Sequence, residues 1–94
     1  MVESMVESID HDGPEPIYRQ LAMILAWQIT SGRLQPDRPI PSESWLCQEY
    51  GVARGTARKA VAELRDQGLV KTVVGRGTYV IARDEPRPRE GPWT

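Results

Sequence analysis

A mainly α domain closed by a small β-hairpin is what this sequence predicts, and three observations carry the prediction. Apolar residues recur with helical spacing in three separate stretches, glycines stop those stretches, and two β-branched runs follow across a Gly-Arg-Gly tip. The chain has 94 residues, 39% hydrophobic and 27% charged, which suits one domain with tails and leaves no apolar run long enough to span a bilayer. The expected division is an acidic, disordered tail over 1–13, the folded domain over 14–82, and a Pro-rich tail or linker over 83–94. No basic start precedes an apolar stretch, so a secretory signal is not expected and the protein is assigned to the cytoplasm. One cysteine, Cys47, and one histidine, His11, assemble neither a disulfide nor a zinc site within one chain, and no metal or cofactor is expected.

The first helix starts near Pro16 and runs to about Ser31. Tyr18, Leu21, Ala22, Leu25 and Ile29 form one apolar stripe, and Gly32 supplies the stop. Met23, Ile24 and Trp27 lie off the stripe and imply a second apolar face, for the core or for a partner copy. Prolines 36, 39 and 41 then remove donors and fix φ, so this stretch is an extended connector.

Ser42 is a good N-cap for a short second helix, with Leu46 and Tyr50 facing inward and Gly51 ending it. Trp45 and Cys47 flank the inner face and are expected to be buried. The third helix covers Arg54 to Gln67, with Ala57, Ala60, Val61 and Leu64 on its inner side and Gly68 as its stop. Leu69 to Val74 and Thr78 to Ala82 are the two strands. Three helices and a C-terminal hairpin make a winged helix-turn-helix, in which the second helix of the pair enters the DNA major groove.

Charge distribution agrees with that reading although the whole chain carries a net −1. Glu3, Glu7, Asp10, Asp12 and Glu15 sit in the first sixteen residues without a base. Residues 17–82 hold nine bases against five acids, and six of those bases lie between Arg54 and Arg76. At about 100° per residue, Arg54, Arg58 and Arg65 fall within about 40° of one another on the third helix, outside the arc of its apolar residues and on its outward face. Gly55 and Ala62 share the outward surface and leave room for a duplex. Arg54 and Arg58, one turn apart, reach base edges or phosphates; a guanidinium fork matches the O6 and N7 acceptors of guanine. The alternative for two helical arginines is a solvated basic face. At the hairpin, Gly75 and Gly77 allow a tight tip, with Arg76 between them as a cation for the minor groove.

The segments PIYRQLAMIL, SGRLQPDRPIPSES, LCQEYGVARGTARKAVAELRDQGLV and VGRGTYV, from Pro16 through Val80, resemble the DNA-binding domain of the GntR family of transcription regulators. The resemblance implies a homodimer, more often a repressor, on a two-fold symmetric double-stranded operator, with the third helix in the major groove and the wing in the minor groove. Arg54 and Arg58 match the family's two recognition-helix arginines, Thr56 the threonine between them, and Gly75 the wing glycine. Ser42, Ser44, Gly55, Lys59, Arg76 and Gly77 complete the expected DNA-binding set. Ser44 stands where the family has an arginine, Ala53 replaces a capping Ser or Thr, and Asp37 replaces a glycine. The family appends a sensing and dimerising domain, whereas 12 residues follow Ala82 and no effector pocket is expected here. A winged helix serving as a protein-interaction module is the competing reading. Enzymatic chemistry is not expected, since neither His11 nor Cys47 has converging partners.

Overall fold

The computed structural model describes residues 9–81. Three helices, α1 (Ile17–Thr30), α2 (Glu43–Tyr50) and α3 (Arg54–Asp66), lead into an antiparallel hairpin of β1 (Val70–Val73) and β2 (Gly77–Val80). None of the helices is long and apolar enough to cross a membrane.

Pro16 is the N-cap of α1, one position before the helix, and its carbonyl accepts from the Arg19 and Gln20 amides. Leu21, Ala22, Ile24 and Leu25 are buried on this helix. Ile24 lies off the predicted stripe, so α1 does bury a second face, while Met23 remains 63% exposed. Trp27 is half-buried, with the Arg33 guanidinium 5.1 Å from its ring centre.

Residues 9 and 10, at the inner end of the expected tail, make contacts with the folded part. Ile9 packs against the core, and the Gln20 amide both accepts from the Asp10 amide at 2.7 Å and donates to the Asp10 carbonyl at 3.0 Å. A side-chain amide that satisfies both backbone groups of one residue holds that residue to the helix. The rest of the first tail and all of 83–94 lie outside the described residues.

Helix α2 behaves as its caps dictate. The Ser42 hydroxyl accepts from the Trp45 amide at 3.1 Å, Glu43 adds an acid to the first turn, and Gly51 closes the helix at φ 66, a left-handed conformation that glycine adopts without a Cβ penalty. Leu46 is fully buried, but Trp45 is 46% exposed and meets Tyr50 edge-on, against the expectation of burial. Helix α3 buries Ala57, Ala60, Val61 and Leu64, the four residues of its predicted inner side, and ends at Asp66 with Gln67 as its C-cap.

The main packing contact is α1 against α3, and α2 packs against α3. Leu21, Leu25, Leu46, Leu64, Val70 and Val80 are fully buried, so the core joins all three helices to the paired strands. Val70 and Val80 are register partners, and the Ile81 amide extends the ladder to the Leu69 carbonyl at 3.0 Å.

The connector is more than a spacer. It lies antiparallel beside β2: the Asp37 and Ile40 amides donate to the Val80 and Thr78 carbonyls, and Val80 donates to Arg38, each at 2.9 Å. Pro39 forms the bridge with Tyr79, at an edge where a missing donor costs nothing. The proline spacing thus leaves donors at the two positions that use them. Asp37 bends the chain into this pairing at φ 64, the one non-glycine with positive φ among the described residues.

Candidate nucleic-acid interface

Three segments converge on one side of the molecule: the start of α2, the start of α3 and the space toward the hairpin tip. Gly51 turns the chain between the two helices, so residues 43 and 44 come beside the first turns of α3. The Arg58 guanidinium donates from Nε and Nη2 to the two oxygens of Glu43, at 3.0 and 3.2 Å. Arg54 stands one turn earlier, with Nη1 3.6 Å from Glu43 and Nη2 donating to the Ser44 hydroxyl at 3.4 Å. Both arginines are about two-thirds exposed, so pairing orients them without removing them from solvent.

This geometry shifts the carboxyl. The hydrogen bonds from Arg58 hold Glu43 below its usual 4.5; desolvation, the next largest influence, opposes them, and the charges of Arg58 and Arg54 add to them. The same pair raises Arg58 further above its ordinary range. At neutral pH, then, a carboxylate sits behind two forward-facing guanidinium groups, one of them held in a bidentate fork.

Among the other expected site residues, Gly55 is exposed beside the arginines and Thr56 is half-buried. Ser42 faces the same side, although its oxygen already accepts the capping bond. Ala53 holds an extended N-cap conformation and makes no side-chain cap bond, as its methyl group dictates. Lys59 is not brought to the arginine cluster. Its Nζ lies 4.6 Å from the centre of the Tyr18 ring on α1, a cation–π contact on a different side of α3.

At the hairpin the Arg76 amide donates to the Val73 carbonyl at 2.9 Å, closing a turn over Val74 and Gly75. Gly75 has φ 80 and Gly77 φ 126, so backbone conformation demands glycine at both positions. Arg76 is exposed there, and Val74 is 93% exposed beside it. Glu43 is the site residue that sequence reasoning missed. Its signal was an acid after the Ser42 cap, but Glu43 and Arg58 are 15 positions apart and only the crossing of α2 on α3 joins them.

Three helices, an outward cationic face on the third and a glycine-tipped hairpin beside it define a winged helix-turn-helix domain of the DNA-binding class. The description "Bacterial regulatory proteins, gntR family" matches residues 17–80, and the chain belongs to that family, whose members compared below are transcription regulators and not enzymes. The transcriptional repressor NagR of Bacillus subtilis is 42% identical over 73 residues, which are 78% of this chain and 30% of that protein. The mannosyl-D-glycerate transport/metabolism system repressor MngR of Escherichia coli is 43% identical over 68 residues, 72% of this chain and 28% of its own. The chain therefore spans less than a third of the length of these relatives. Among solved structures, the DNA-binding domain of AraR in complex with operator ORX1 is similar at TM-score 0.71 and 38% identity, covering 78% of this chain and 94% of that one. YtrA from Sulfolobus acidocaldarius, a GntR-family transcription factor, gives TM-score 0.74 at 32% identity, over 82% of this chain and 81% of its own.

Proposed function

We propose that this domain reads a specific double-stranded DNA operator for a transcription repressor, α3 entering the major groove and the Gly75-Arg76-Gly77 tip the adjacent minor groove. The observation that carries the reading is the pair of guanidinium groups of Arg54 and Arg58, held one turn apart by Glu43 and Ser44 on a face kept open by Gly55. Preset forks meet guanine O6 and N7 with less ordering than free side chains require, and a good bidentate contact is worth about 1–3 kcal/mol of discrimination. Glu43 acts as a positioning residue for Arg58. The AraR domain bound to its operator supports the same use of this fold. Two copies on a two-fold symmetric operator, and a cytoplasmic, nucleoid-associated location, belong to the same proposal.

Selection from a random duplex pool, followed by a binding titration in salt, tests it. Recovery of an inverted repeat and affinity that falls steeply with salt, by about 0.9 in log–log slope per phosphate neutralised, are expected. A flat salt response, or no enrichment of any sequence, overturns it.

A further inference from the structure

Between α3 and the wing lies an open notch of about 320 Å³, with Val61 on its floor and Arg58, Arg65 and Arg76 around it. The one acid lining it, Glu43, is already held by Arg58 and Arg54. Arg65 is different. It is half-buried, its Nε is shielded from solvent without a hydrogen-bond partner, and no ion pair balances its charge among the described residues. Arg65 therefore lines the notch with one donor, its Nε–H, that the protein itself does not satisfy.

The position of the notch says which anion fits. Arg65 lies seven residues beyond Arg58 on nearly the same face of α3, about 10 Å further along the axis at 1.5 Å per residue. A helix in the major groove and a wing in the neighbouring minor groove must straddle the sugar–phosphate strand between them. The notch separates those two elements. Resting on the DNA-binding reading above, the geometry points to a seat for one backbone phosphodiester in this notch, gripped by Arg65 from α3 and Arg76 from the wing. A planar guanidinium matches phosphate oxygens bidentately, and the Ser42 hydroxyl at the notch wall accepts its capping bond while keeping an O–H to donate. Arg65 positions the duplex and reads no base.

Fluorescence anisotropy on two labelled 25-base-pair duplexes, one of mixed sequence and one recovered by the selection above, tests the assignment across a salt series. Arg65→Gln is expected to weaken both duplexes by the same factor and to reduce the log–log salt slope by about 0.9, the loss of one phosphate contact. Arg65→Lys retains the slope, because the charge remains. Arg76→Gln reduces it as Arg65→Gln does, and provides the second variant if Arg65→Gln does not fold by its amide NMR spectrum. Wild-type slope and affinity in the glutamine variants overturn the phosphate seat while leaving the DNA-binding reading intact. A loss confined to the selected duplex also overturns it, because that is the mark of a base contact. A wild-type domain whose binding ignores salt overturns both.

Discussion

Arg58 and Glu43 face one another across the helix pair, joined by two hydrogen bonds of 3.0 and 3.2 Å between a complete guanidinium edge and a complete carboxylate. The contact is solvent-exposed, so its value lies in orientation more than in stability. Because the Glu43 carboxyl titrates below its unfolded value, the pair is fully present above the ordinary carboxylate range and fades as pH falls through the depressed value. Carbon-detected NMR of the Glu43 side chain is expected to give a midpoint below 4.5, moving back up in Arg58→Ala. A wild-type midpoint at or above 4.5 contradicts the pairing.

Glu43→Gln keeps the shape of the side chain and removes its charge. Arg58 then loses its fixed counter-ion, and discrimination between the selected duplex and a scrambled one is expected to fall while the thermal midpoint stays nearly constant. Unchanged discrimination rejects the positioning role.

Alanine at Arg54 or Arg58 removes a fork that base edges accept. Each substitution is expected to cost about 1–3 kcal/mol of sequence discrimination, roughly 5- to 150-fold in relative affinity. Lys59→Ala provides the contrast. With its ammonium over Tyr18, its removal is expected to lower stability by about 0.5 kcal/mol and to leave discrimination unchanged. Equal losses of discrimination from all three substitutions contradict this division of roles.

Ala53 has the extended backbone of an N-cap but no oxygen to offer the first amides of α3. Ala53→Ser is therefore expected to stabilise the domain by about 1 kcal/mol in urea unfolding, with an unchanged m-value. A shift of the opposite sign shows that the cap site is not available to a hydroxyl.

Asp37 holds φ 64 where the connector turns onto β2. Aspartate tolerates this region better than most residues, and glycine better still. Asp37→Ala is expected to destabilise by about 1 kcal/mol, whereas Asp37→Gly is tolerated. Urea midpoints ranking alanine above glycine refute the backbone explanation.

Much of the fold was legible locally. The stripe of Leu21, Ala22 and Leu25, the inner side of α3 from Ala57 to Leu64, and the stop at Gly51 all follow from periodicity and backbone freedom, properties of neighbouring residues. The outward position of Arg54 and Arg58 followed from the same period, and so did the uncapped start at Ala53. Trp45 was misread because its large apolar ring suggested burial, although its place on a short helix leaves it nearly half-exposed.

By itself the sequence determined the elements, their inner faces, the glycine turns and the family to which the chain belongs. Tertiary structure alone decided that Glu43 holds Arg58, that Lys59 turns to Tyr18, that the connector pairs with β2, and that Arg65 and Arg76 line one notch. Helical and strand periods are set by bonds between near neighbours, whereas these contacts depend on how helices cross and where a hairpin folds back. Those angles come from packing the whole core at once, and no short window of residues contains them.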